Sequence, residues 1–254
     1  LRDPISEQVW NSWAVLHPQG VLHPDLAFAM PASAHKSEAV ELLKHYGVSL
    51  DAQHLRMGVT AIQWGAQSPT FDRQSQYEEA LISAIRGFLK LPESQVVLFS
   101  QVHGPSASED DRLAAGRIAA GLENLASRVF LIDQPLPAPV LKAAYGLMDL
   151  FLGTRLHSNI FALTEGVPVV AIGYQYKTRG IMRMLGLERW VLDIDQVTGD
   201  NLPHLIREAW AAREQTKLHL RAVLPQIRQQ ASTAGALIAA DYYTLYSKVE
   251  RAQE

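Results

Sequence analysis

The stretch from Asp149 to Ile172 leaves this chain few folds to choose from. Asp149-Leu-Phe-Leu-Gly153 reads as a buried strand, Asn159 to Glu165 as a short helix stopped by Gly166 and Pro168, and Val167 to Ile172 as the next buried strand. A strand, a turn, a helix and a parallel strand place the turn at the carboxyl edge of a sheet, where open α/β sheets bind their ligands. The turn carries Arg155, His157 and Ser158 at a helix N-terminus. Free backbone N–H groups and the helix dipole favour an anion there. The stretch is therefore read as the anionic-donor site of an enzyme.

The rest of the chain repeats the alternation. Strands are expected at Leu55–Trp64, Gln95–Ser100, Val129–Ile132 and Trp190–Ile194, the last a short edge strand. Helical spacing marks Tyr77–Leu89, a segment opening at Ser108 as N-cap, Ala138–Leu147 and Thr178–Leu185. From Leu202 to Arg251 the pattern is nearly continuous helix, with breaks expected around Pro225 and near Gly235. Such alternation predicts a doubly wound parallel sheet with helices on both faces over residues 51–200. Residues 1–50 fit it poorly and read as the tail of a preceding domain plus a linker, and residues 201–254 as C-terminal helices. The first residue is Leu1, so the chain is expected to begin partway into a longer protein.

Composition narrows function mainly by exclusion. A net charge of −3 argues against nucleic acid as a partner. The absence of cysteine removes disulfides, thiolate ligands and a Cys nucleophile, and fits a reducing cytosol. No apolar run reaches the ~18 residues of a membrane span, and no signal-peptide pattern opens the chain. GxGxxG, Walker A, HExxH and GxSxG are missing, and the histidines show no metal-like spacing.

Against that acidic background, basic residues gather after two neighbouring strands. Arg155 offers a planar fork for phosphate or carboxylate, and His157 can hold or pass a proton near neutral pH. Lys177, Arg179 and Arg183 follow the next strand, whose end lies about 5 Å away in a parallel sheet. Lys177 is read as functional and Arg183 as a solvated helix residue. Gln101-Val-His-Gly-Pro105 ends a third strand and places His103 where it can feed the same cleft, while Asp110 and Asp111 are read as complements to a helix dipole. Trp64 and Gln67 end a fourth strand, where both can line the cleft, although Trp64 is read as core. Glu165 can accept from a ligand hydroxyl or simply face solvent at a helix end.

The run Gly153-Thr-Arg-Leu-His-Ser-Asn-Ile-Phe-Ala-Leu, with Glu165-Gly-Val-Pro-Val-Val-Ala-Ile and Tyr176-Lys-Thr-Arg-Gly-Ile-Met-Arg-Met-Leu-Gly-Leu187, resembles the polysaccharide pyruvyl transferase family. Arg2-Asp-Pro-Ile-Ser6, His23-Pro-Asp-Leu-Ala-Phe28 and Gln101-Val-His-Gly-Pro105 with Asp110-Asp111 resemble further family segments, so the likeness covers roughly residues 1–195. The resemblance implies a Rossmann-like, GT-B-like fold and transfer of the pyruvyl group of phosphoenolpyruvate onto a sugar as a ketal. It also implies that Arg155, His157 and Lys177 contact phosphoenolpyruvate. The family's Gly-rich N-terminal opening has no match here, and the chain is expected to start at the end of that domain.

On this reading His157 is the general acid, Arg155 and Lys177 clamp the anion, and His103 is a base or a phosphate contact. Ser158, Arg179 and Glu165 are further substrate-binding candidates. The chemistry calls for no metal or cofactor beyond phosphoenolpyruvate as donor. The partners expected are that donor and a sugar or lipid-linked oligosaccharide acceptor. The expected location is the cytoplasm, with peripheral association at the inner face of the cytoplasmic membrane as a variant. Two rivals stand beside it: a GT-B nucleotide-sugar glycosyltransferase, and a non-catalytic domain that binds a partner or an anionic glycan.

Overall fold

The computed structural model describes residues 1–13, 21–31, 34–64 and 73–251, the last turns of the final helix by backbone. Six strands form one all-parallel sheet: β1 (Leu55–Thr60), β2 (Ser94–Phe99), β3 (Val129–Ile132), β4 (Leu150–Gly153), β5 (Val169–Gly173) and β6 (Val191–Asp193). Their order is β3-β2-β1-β4-β5-β6. The winding direction reverses between β1 and β4, which is the switch point where doubly wound sheets open a crevice. The register there runs from Met57↔Leu150 to Thr60↔Gly153. β2, β4 and β5 are buried along their whole length. Their sequences are apolar runs rather than alternations because both sheet faces are covered.

Helices α3 (Gln74–Phe88) and α4 (Asp111–Ala120) connect one half of the sheet. Helices α5 (Ala138–Tyr145), α6 (Leu156–Thr164) and α7 (Tyr176–Met184) connect the other. Right-handed crossovers put the two sets on opposite faces. Helix α8 (Asn201–Ala211) packs on α3, and α2 (Lys36–His45) on α5. Helix α1 (Pro4–Ser12) packs on α7, and a 3-10 turn over Leu26–Ala29 touches both α6 and α9 (Arg213–Arg251).

Three boundaries depart from the sequence pattern. Helix α6 starts at Leu156, not Asn159, so His157 and Ser158 lie inside its first turn. Helix α4 is capped by Asp110, which accepts from the Arg112 N–H at 3.0 Å, and Ser108 sits in a separate 3-10 turn. The C-terminal helix is continuous through Pro225 and Gly235, and the break falls at Ala212. Leu220, Leu224, Ile227, Ala231 and Ala234 are buried at helical spacing across Pro225. One uninterrupted apolar stripe outweighs the missing proline N–H. Gly166 ends α6 as expected, at φ +79, a conformation open to glycine at little cost.

Candidate active site

The site grows from the ends of β1, β2, β4 and β5. Beyond β4 the chain runs on through Thr154, whose N–H bonds Thr60 O at 3.2 Å, to Arg155, the extended cap residue of α6. Thr154 is buried and shares a 2.7 Å hydrogen bond with the Tyr77 hydroxyl, which also accepts the Ile62 N–H. Burial pushes the Tyr77 phenol well up, so it stays neutral.

Arg155 is held by one buried carboxylate. Its Nε donates to Asp111 Oδ2 at 3.0 Å and its Nη2 to Oδ1 at 2.7 Å. The same two oxygens accept the backbone N–H groups of Gln63 and Val102, both at 3.2 Å. One fully buried aspartate thus ties together the exits of β1, β2 and β4. Burial pushes the Asp111 carboxyl up, opposed by the guanidinium and the two N–H donors. Burial also works against the Arg155 charge, but the paired carboxylate outweighs it and holds the guanidinium above its ordinary value. Asp111 was expected only to complement a helix dipole. Nothing in an acid at a helix start reveals that it will be buried against an arginine from another strand.

Two helix N-termini meet here without side-chain caps, that of α6 after β4 and that of α7 after β5. His157 and Lys177 each occupy the second position of their helix. Among the described residues neither side chain has a hydrogen bond or an ion pair. His157 is exposed and Lys177 half-buried. Each helix start leaves backbone N–H groups without intrahelical partners, which favours negative charge there.

Arg2 reaches this place from the far end of the chain. Its neighbour Asp3 is buried and caps α1, accepting from Ile5 N (3.0 Å), Ser6 N (2.9 Å) and Ser6 Oγ (2.5 Å). Asp3 seats directly on Gly180 of α7: a Cβ added there would fall 2.1 Å from Asp3 Oδ1. That close approach brings Arg2 to the cleft rim, where its Nη1 also meets Asp25 Oδ2 at 3.2 Å. The cleft measures about 250 Å3, and Arg2, Gln101, Arg155, His157, Tyr174 and Lys177 line it. Neither Arg2 nor Gln101 stood among the expected site residues. The Arg2-Asp-Pro-Ile-Ser6 segment, already a point of resemblance, was the available signal for Arg2.

The structure brings Arg155, His157 and Lys177 together and places the other candidates elsewhere. Ser158 is fully buried, donating to Arg155 O (2.7 Å) and sharing a hydrogen bond with Thr60 Oγ1 (2.8 Å), so it fastens α6 to β1. Arg179 pairs with Asp193 (2.9 Å) and Glu188 (3.4 Å), and Arg183 with Glu188 (2.7 Å). Both cations are spent on acids beside β6. Glu165 follows the last turn of α6, at the amino edge of the sheet, and pairs with the buried Lys142 at 3.2 Å. His103 lies beside the cleft without lining it, its Nε2 3.2 Å from Ser100 O. Trp64 is core, edge-on to Tyr77 and Tyr174. Gln67 lies outside the described residues.

A Rossmann-like all-parallel sheet with basic side chains around a cleft at its switch point defines the class: an open, doubly wound α/β domain. Residues 1–176 match the model of the polysaccharide pyruvyl transferase family, and the chain belongs to that family. The amylovoran biosynthesis protein AmsJ of Erwinia amylovora is 29% identical over 126 residues, covering 49% of this chain and 30% of that protein. Among solved structures, Anabaena Alr3699/HepE aligns with a TM-score of 0.58 at 15% identity, over 95% of this chain and 61% of that one. The sucrose-phosphate synthase of Thermosynechococcus elongatus aligns with a TM-score of 0.56 at 19% identity, over 98% and 58%. These two likenesses are of fold. The chain spans about 30% of this curated relative and about three fifths of these structural ones.

Proposed function

We propose that this chain takes part in transferring the pyruvyl group of phosphoenolpyruvate to a sugar in cell-surface or exopolysaccharide assembly, with the cleft as its donor site. One observation carries the reading. Two protonatable side chains with no hydrogen bond or ion pair among the described residues, His157 and Lys177, flank two guanidinium groups and two uncapped helix N-termini around a cleft of about 250 Å3. Phosphoenolpyruvate carries a phosphate and a carboxylate close together and needs several cations and backbone donors at once. In this reading Arg2, Arg155 and Lys177 clamp the two anionic groups. His157 gives a proton to the methylene carbon, C2 becomes electrophilic, and one sugar hydroxyl adds as its proton passes to a base. Phosphate leaves with the second hydroxyl's proton as that hydroxyl closes the ketal. His103, one loop away, is the candidate base.

The acceptor in this proposal is a sugar or a lipid-linked oligosaccharide, met in the cytoplasm or at the inner face of the cytoplasmic membrane. Among the described residues no helix is long and apolar enough to cross a membrane. The test is His157→Ala in the full-length protein, assayed for phosphate release from phosphoenolpyruvate with acceptor present. Loss of at least about a hundredfold is expected for a general acid, and near-normal turnover overturns the assignment. A nucleotide-sugar donor is the second reading, favoured by the likeness to HepE, solved with UDP and glucose. Thermal shifts with phosphoenolpyruvate against UDP- and GDP-sugars separate the two.

A further inference from the structure

Gln101 lies just beyond β2 and lines the cleft. Its side-chain oxygen accepts the hydroxyl of Tyr145 at 2.7 Å. Tyr145 is fully buried on α5, its ring against Phe99 (centroids 4.8 Å apart), Phe151 (4.5 Å) and Phe161 (6.5 Å). Gln101 is the one hydrogen-bond partner of that hydroxyl among the described residues. Burial holds the phenol far above its ordinary value, so it keeps its proton and needs an acceptor. A carboxamide has one accepting end and one donating end. With the oxygen committed to Tyr145, the amino end is the one left to donate to whatever enters the cleft. Turning the amide over would leave the Tyr145 O–H unmet in the core.

We propose that Gln101 is a ligand-contacting residue whose amide N–H groups donate to an oxygen of the anionic donor, and that Tyr145 is the positioning residue that fixes this orientation. The proposal rests on the reading of the cleft as a donor site. It adds a neutral, directional donor beside the cations and helix N-termini of the site, with a fixed geometry for one oxygen.

The experiment titrates the chain and its Gln101→Glu, Gln101→Leu, Tyr145→Phe and Tyr145→Phe/Gln101→Leu variants with phosphoenolpyruvate, inorganic phosphate and UDP, alongside urea unfolding. Gln101→Glu replaces the donor with an anion and is expected to weaken binding more than about tenfold, and Gln101→Leu about three- to tenfold. Tyr145→Phe keeps the ring packing and is expected to cost about two- to fivefold. The double variant should bind no worse than Gln101→Leu alone, which a purely structural tyrosine would not produce. Gln101 variants within twofold of wild type overturn the contact, and additive losses overturn the positioning role. A wild type that takes UDP but neither phosphoenolpyruvate nor phosphate overturns the pyruvyl reading, and Gln101 is then judged on UDP by the same ratios. A wild type that holds none of the three overturns both.

Discussion

Gly180→Ala should weaken anion binding although Gly180 does not itself line the cleft. The added Cβ would lie 2.1 Å from Asp3 Oδ1, 2.5 Å from its Cγ and 2.9 Å from its Cβ. Asp3 cannot swing aside without releasing the three bonds that cap α1. Either the cap breaks or the start of α1 lifts by more than an ångström, and both displace Arg2 from the rim. Overpacking of this kind costs about 1–3 kcal/mol of stability. Loss of one charge-assisted hydrogen bond to the bound anion costs about 1.5–3 kcal/mol, or roughly ten- to a hundredfold in Kd. The assay is titration with phosphoenolpyruvate, paired with urea unfolding, for wild type, Gly180→Ala, Asp3→Gly and the double variant. Glycine is a serviceable N-cap and removes all three of the Asp3 atoms that the new methyl would meet first. The stability cost of Gly180→Ala should therefore fall to within about 0.5 kcal/mol in the Asp3→Gly background. A Gly180→Ala protein that binds within twofold of wild type, or a strictly additive cycle, refutes the link from Gly180 through Asp3 to Arg2.

Other substitutions test the parts separately. Asp111→Asn leaves Arg155 buried without its counter-charge and should cost about 3–5 kcal/mol in urea unfolding; a loss below 1 kcal/mol would mean the pair is dispensable. Arg179→Ala removes surface pairs with Asp193 and Glu188, so it should change stability by about 0–1 kcal/mol and leave phosphoenolpyruvate affinity intact. A tenfold weaker Kd would return Arg179 to the site. Lys142 is buried, and burial holds its ammonium below the ordinary 10.5, with Glu165 pulling the other way. Between its lowered folded value and 10.5 the unfolded chain binds more protons than the folded one, so stability contributed by this residue rises with pH. The stability of wild type minus that of Lys142→Met should therefore grow from neutral pH toward pH 10, and a flat or falling difference refutes the assignment.

The sheet was legible because its signal is local. Apolar runs such as Gln95–Ser100 and Val167–Ile172 fall where β2 and β5 lie. Burial on both faces leaves a strand no room for polar alternation. The turn after β4 was legible for a related reason: Arg155 and His157 sit between a strand and a helix that both announce themselves. Helix ends were harder. Asp110 rather than Ser108 caps α4, since both residue types suit the position and only the path of the loop from β2 decides between them. The C-terminal helix passes Pro225 because its stripe of buried residues packs against the rest of the fold, a term absent from local propensity.

The candidate site was half legible, and the missing half has one physical cause. Counting charges after β4 and β5 gathers Arg155, His157, Lys177, Arg179 and Arg183 into a single cluster. A cation serves a ligand according to which acids lie within reach, and those acids come from other elements. Arg179 and Arg183 are neutralised by Glu188 and Asp193, which the chain reaches only after α7 has turned back toward β6. Arg155 meets Asp111 from the start of α4, but the pair is buried at the cleft wall, so there the acid aims the guanidinium as well as balancing it. Lys177 and His157 have no acid partner among the described residues and so remain open to whatever enters. Arg2 reaches the same rim through Asp3 and a glycine on α7, a contact between residues far apart in sequence, while one end of its guanidinium meets Asp25. Local pattern places cations at an edge; the tertiary positions of their counter-ions decide which of them can hold a substrate.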